Sequence, residues 1–102
     1  MKPVRRIVEI RYGMAYYHGK CLGATIFGLG NMFNLPSAGK FKVVIEEKIE
    51  GVYKITPWGN HFYCVQMISG SPYSCICRKA FQELFRFKPD GRKRYDIQIK
   101  KL

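Results

Sequence analysis

Four thiols, two imidazoles and one Glu-x-Lys triplet are the most chemically versatile side chains of this 102-residue chain. His18-x-x-Cys21 and Cys75-x-Cys77 together supply the four ligands of a closed tetrahedral zinc site. The two pairs stand far apart in sequence, and a helix through residues 72–87 would put Cys77 on its buried stripe and Cys75 nearer its edge, so the thiols would not converge. Small buried thiols acting as hydrophobes are the expectation, and no metal or other cofactor is assigned. Glu46-Glu47-Lys48 has a second chemistry. Glu46 and Lys48 share one face of a strand, where a carboxylate can hold a metal ion while a lysine stabilises the attacked phosphate. Metal-dependent phosphodiester cleavage needs a further carboxylate beside them. Glu9 is the sole upstream acid, and Gln98 stands where a triplet starting at Asp96 would need lysine. A metal-dependent nuclease is therefore a lower alternative. Neither His18 nor His61 lies in a nucleophile motif such as GxSxG, and no catalytic residue is assigned.

The stretch GLGNMFNLPSAGKF, residues 28–41, resembles a phosphate loop only in its final Gly-Lys pair. Asn34 replaces the first glycine of GxxxxGK[ST], Phe41 replaces the hydroxyl residue, and Lys40 leads into a strand where the motif must open a helix. Gly28 and Gly30 lack the third glycine and the preceding strand of a dinucleotide fingerprint. The apolar run between Lys20 and Lys40 is barely long enough to span a bilayer, and Asn31, Asn34 and several glycines interrupt it, so no membrane span is expected. Arg5, Arg6, Arg11 and Lys20 break up the first twenty residues, which leaves no clean apolar core for an export signal. The expected setting is cytoplasmic, with reduced thiols.

Charge is the strongest functional signal. Lys and Arg number 18 against 7 Asp and Glu, a formal net charge of +11. Such a field draws polyanions and repels basic partners. From Arg78 to Leu102 nine basic residues face three acidic ones. Arg78, Lys79, Arg86, Arg92, Lys93 and Arg94 are the expected phosphate contacts, joined by Arg5 and Arg6 if the two terminal strands are neighbours. Trp58 and Tyr63, with Tyr16 and Tyr17, are candidates for stacking on bases. There is no aromatic RNP-type strand and no two-helix turn for a major-groove reader. The expected function is thus non-enzymatic binding of nucleic acid through its backbone phosphates. The alternative is a protein-interaction or inhibitor module that docks on an acidic protein or through a sheet edge.

These residues must be carried by a small scaffold. The length suits a single domain over residues 1–102. Apolar residues alternate in VRRIVEIRY, FKVVIEEKI, VYKIT, HFYCVQMI and YDIQIKKL, each bounded by turn chemistry, which predicts an antiparallel sheet of about five strands. The middle three should form a meander of neighbours, with turns at Glu50-Gly51 and at Pro57-Trp58-Gly59-Asn60. Ser71 as N-cap, Pro72 at the first helical position and the stripe Tyr73, Ile76, Cys77, Ala80, Phe81, Leu84 and Phe85 predict an amphipathic helix over 72–87. Residues 13–40 are rich in glycine and predict a short helix within 15–33 or an irregular cover between the first two strands. The predicted fold class is α+β, with the sheet packed on the one helix.

Overall fold

The computed structural model describes residues 2–24, 38–70 and 73–102. Period-two alternation builds most of it. In β1 (Val4–Arg11) Val8 and Ile10 are buried while Arg5, Ile7 and Arg11 face outward, and β4 (Gly39–Glu47) buries Phe41, Val43 and Ile45 in the same way. Two tight hairpins extend the first strand into a meander with β2 (Met14–Tyr17) and β3 (Lys20–Ala24). Their two-residue loops, Tyr12-Gly13 and His18-Gly19, carry positive φ at both positions, 50° and 75° in the first and 50° and 78° in the second. That is the twist a two-residue hairpin requires. The glycines at 13 and 19 therefore open strands, and the helix predicted within 15–33 is replaced over residues 15–24 by β2 and β3. The rest of that segment lies outside the described residues.

The second half consists of β5 (Tyr53–Trp58), β6 (Phe62–Met67) and β7 (Tyr73–Cys77), followed by α1 (Arg78–Phe85) and β8 (Tyr95–Lys101). One antiparallel eight-stranded sheet results, in the order β3-β2-β1-β4-β8-β5-β6-β7. The protein is thus mostly sheet with a single helix among the described residues, and has eight strands where about five are predicted. The predicted meander of three neighbours is interrupted: β8 inserts between β4 and β5. It pairs with β4 over seven positions, Phe41↔Lys101 to Glu47↔Tyr95, and with β5 only at Tyr53↔Tyr95. The terminal strands are not neighbours, because β4 separates β1 from β8.

The helix is shorter than its sequence stripe suggests. Residues 73–77 alternate instead, with Ser74 and Ile76 buried and Tyr73 and Cys77 exposed, and they pair with β6 from Phe62↔Cys77 to Gln66↔Tyr73. Over five residues a helical stripe and a strand alternation share too many positions to be told apart, and the backbone groups offered by β6 decide for the strand. Cys77, with extended φ −61° and ψ 128°, occupies the N-cap and makes no side-chain cap bond. The predicted cap residues Ser71 and Pro72 lie outside the described residues. Ala80, Phe81, Leu84 and Phe85 are buried, and Arg86 ends the helix in the left-handed region, its N–H donating to Gln82 O at 3.0 Å. Phe81 meets Tyr63 and Phe87 edge-on, both at 5.3 Å, and Phe85 at a tilt at 4.8 Å, so an aromatic layer seals the inner face of the sheet against the helix.

The two halves meet where Gly51 lies on β8. A Cβ at Gly51 would stand 2.7 Å from the backbone N, C and O of Tyr95. Only glycine permits that approach, which lets the β4–β5 connection cross β8 and place Tyr53 beside Tyr95. No helix among the described residues is long and apolar enough to cross a membrane.

Candidate nucleic-acid interface

The predicted basic residues are dispersed over the fold. Arg78 begins α1; its guanidinium donates from Nε to Phe62 O at 3.1 Å and from Nη2 to Gly59 O, and lies 5.2 Å from the centre of the Tyr63 ring. It ties the β5–β6 turn to the helix, with two of its five donors engaged by backbone carbonyls. Arg6 is likewise structural: on the inner side of β1 its Nε donates to Leu84 O at 2.7 Å, supplying a donor and a positive charge to a carbonyl in the last turn of α1. Arg92 is chelated by Asp90. The backbone N–H of Arg92 donates to Asp90 Oδ1 at 2.9 Å and its guanidinium reaches both oxygens at 3.3 Å. Those bonds, the backbone one foremost, hold the Asp90 carboxyl below the usual carboxylate range. Lys93 pairs with Glu47 at 3.2 Å. Arg92, Lys93 and Arg94 border a hollow of about 360 Å³ with Glu47, Lys48 and Ile49. Arg86, at the other end of the helix, borders one of about 450 Å³ with Tyr17 and Lys20, where Lys20 bonds Glu83 at 2.5 Å. Lys79 is exposed on the first turn of α1.

Arg5 alone of the set lies on the outer face of the central strands, and there it joins Lys42 and Lys100, which are not among the predicted phosphate contacts. It lines a polar groove of about 280 Å³ across β1, β4 and β8, together with Lys42, Lys100, Gln98, Glu46 and Asp96. The register puts Ile7, Lys42 and Lys100 side by side on three adjacent strands, with Arg5, Val44 and Gln98 forming the next row. Lys42 and Lys100 are thus directly opposed cations. Neither forms an ion pair among the described residues, nor does Arg5. Like charges opposed across a ladder are unfavourable, so this row of the groove gains from an anion. Lys42 occupies an outward position of the FKVVIEEKI alternation. That Lys100 lies beside Lys42 depends on β8 inserting next to β4.

At the far end of the same groove, Glu46 and Asp96 oppose each other, with Lys48 Nζ between them at 3.8 Å and 3.7 Å. The second carboxylate that the Glu46-x-Lys48 triplet lacks in sequence is therefore supplied by β8. Asp96 Oδ1 also accepts from Val52 N at 3.2 Å. No group of three His, Cys, Asp or Glu residues suited to a metal ion occurs among the described residues.

The thiols divide between opposite margins of the sheet. His18 and Cys21 belong to the β2–β3 hairpin at one end of the strand order, and Cys75 and Cys77 to β7 at the other. Cys75 instead faces Cys64 across the β6–β7 ladder. Partial burial, and then proximity to Cys75, push the Cys64 thiol above its ordinary pKa.

Aromatic placement follows strand parity. Tyr63 turns inward with Val65 and is only 4 % exposed, its hydroxyl accepting from Gln82 Nε2 at 3.0 Å. It cannot stack on a base. Tyr16 lies beneath the Arg11 guanidinium at 4.3 Å, and Tyr17 packs on the core. Trp58 does face outward, about half exposed, and with it Phe62 and Tyr73, which the sequence reading did not select. Phe62 is the cross-strand neighbour of Trp58, and the Trp58 and Tyr73 ring centres lie 6.0 Å apart.

Comparison of the chain with protein-family models, with curated proteins and with solved structures returns no match.

Proposed function

We propose that the protein binds nucleic acid through its phosphate backbone, with the outer face of β1, β4 and β8 as the primary contact and Arg5, Lys42 and Lys100 as its phosphate ligands. The observation that carries this reading is the opposed Lys42–Lys100 pair beside Arg5, cations without an ion-pair partner among the described residues. A bound phosphate relieves their repulsion, and in a chain of net charge +11 the surrounding field favours its approach. Arg94 on the loop before β8 extends the positive surface; Arg92 is paired with Asp90, and Arg78 and Arg6 act on the fold, so none of these three is assigned as a phosphate ligand.

The test is binding of a fluorescent random-sequence 20-mer, DNA and RNA, followed by anisotropy across a salt series. With about three phosphate contacts, the slope of log affinity against log salt is expected between about −2 and −3, and Lys42→Ala with Lys100→Ala removes about 1.5 to 2 of it. Absence of binding at low salt ends the proposal. Binding only to an acidic protein would favour the interaction-module reading instead.

A second reading of the same groove rests on Glu46, Asp96 and Lys48, the parts of a metal-dependent phosphodiesterase site. Two carboxylates already shared with a lysine, and no third ligand among the described residues, make it the weaker reading. It requires Mg²⁺- or Mn²⁺-dependent cleavage that disappears in Glu46→Gln; intact oligonucleotide after prolonged incubation counts against it.

A further inference from the structure

The outer face of β5, β6 and β7 differs chemically from the groove. From Gly51 to Gln82 the chain contains no Asp or Glu. Three aromatic side chains stand out from that face, Trp58 at 50 %, Phe62 at 49 % and Tyr73 at 51 % exposure, on three neighbouring strands. Between them on the same face lie Thr56, Cys64 and Cys75, side by side in the register. These are short side chains that leave the rings standing above the sheet. Cations border the patch. Lys54 is exposed on the same face of β5, Arg78 is held against Gly59 O and Phe62 O, and the loop carrying Arg92 touches this face through Gly91, where a Cβ would lie 3.1 Å from Thr56 Cγ2. An aromatic surface with cations at its rim and no carboxylate on its strands is complementary to a planar, apolar group on an anionic chain.

We infer that this face stacks unpaired bases, so that the preferred polyanion is single-stranded nucleic acid. The inference rests on the phosphate-binding reading above and narrows its ligand. A duplex keeps its bases stacked on one another and offers this face only backbone. A single strand can lay successive bases on Phe62 and Trp58 while its phosphates meet Lys54, which forms no ion pair among the described residues. Stacking is tolerant of sequence, because every base has a π-face.

Trp58 is the only tryptophan of the chain, so emission excited at the red edge of its absorption band, where the seven tyrosines do not absorb, reports on this face alone. The experiment titrates the full chain at low salt with a twelve-residue oligothymidylate, with the corresponding dA·dT duplex, and with dextran sulfate, a polyanion without bases. The oligothymidylate is expected to quench Trp58 and to bind about tenfold more tightly than the duplex. Dextran sulfate, followed by displacement of a labelled oligonucleotide, is expected to bind without comparable quenching. Phe62→Ala and Tyr73→Ala, which keep the reporter, should each lower oligothymidylate affinity about five- to tenfold and leave dextran sulfate binding unchanged. Thermal unfolding confirms that each variant is folded. If strand, duplex and dextran sulfate bind alike and Phe62→Ala changes none of them, stacking is overturned while phosphate binding stands. If none of the three binds, both proposals fail. Emission that responds to protein concentration but not to oligothymidylate would place a second copy of the chain on this face and overturn the inference.

Discussion

The five strands β3-β2-β1-β4-β8 and the three strands β5-β6-β7 belong to one sheet but solve the problem of an outer face differently. On the outer face of the five-stranded side Glu9, Glu46 and Asp96 are interleaved with Arg, Lys and Gln, and each has an ion-pair partner. On the three-stranded side there is no carboxylate, no ion pair among the described residues, and a cluster of exposed rings. Exposed ion pairs add little stability, so the charged half is best understood as a hydrated surface with one place, the Lys42–Lys100 row, where balance is missing. The aromatic half leaves apolar area in water, which a solubility requirement alone does not explain. Under the proposed function both departures would meet one ligand, its phosphates at the first and its bases at the second.

The division can be broken at its seam. Gly51→Ala drives a methyl group into the Tyr95 backbone, where the halves share their single β5–β8 pair. A loss of about 2–3 kcal/mol is expected from such overpacking, lowering Tm by about 10 °C or more in a chain of this size. An unchanged Tm would show that the halves are not coupled through this contact. Ser74 probes the inside of the three-stranded half. Its buried Oγ has no hydrogen-bond partner among the described residues. Ser74→Ala should therefore hold or raise stability, by up to about 1 kcal/mol; a clear loss in urea unfolding would reveal a partner. In the charged half, replacing Lys42 and Lys100 together by alanine should raise stability by about 0.5 kcal/mol as the opposed charges are removed, while weakening nucleic-acid binding. Opposite signs for the two readouts distinguish a ligand site from a structural pair.

The smallest effect concerns the loop that joins the halves. The Asp90 carboxyl is held low by the N–H and guanidinium of Arg92. A depressed carboxylate stabilises the fold fully above its unfolded value, about 3.9, and loses that contribution as pH falls through the lower folded value. The Tm difference between the protein and Asp90→Asn should then be greatest near neutral pH and shrink below about pH 4. A difference that is constant with pH would assign the loop to packing rather than to this interaction.

Much of the scaffold was legible in sequence because it depends on short-range pattern. Val8, Ile10, Phe41, Val43, Ile45, Ile97 and Tyr95 are inward where alternation put them, and Ala80, Phe81, Leu84 and Phe85 form the helical face that their spacing indicated. Misreadings arose where two local patterns fit the same residues. Tyr12-Gly13 and His18-Gly19 read as helix-disfavouring glycines, yet their left-handed φ values make them hairpin turns. Tyr73 to Cys77 fitted both a stripe and an alternation, and the edge offered by β6 chose between them. The same parity that hides Tyr63 exposes Phe62.

By itself the sequence determined the charge excess, the acid-free run from Gly51 to Gln82 and the inward or outward parity of most strands, because these are properties of composition and of neighbours along the chain. Only the tertiary structure decided which outward residues share a surface. Insertion of β8 between β4 and β5 brings Lys100 beside Lys42 and Asp96 opposite Glu46, residues roughly fifty or more positions apart. Strand order depends on which backbone edges and apolar faces meet across the whole chain, and no local spacing encodes it. The same long-range packing engages Arg6 and Arg78 with carbonyl oxygens of the fold. A basic residue in the sequence becomes a phosphate ligand only if folding leaves its charge without another partner.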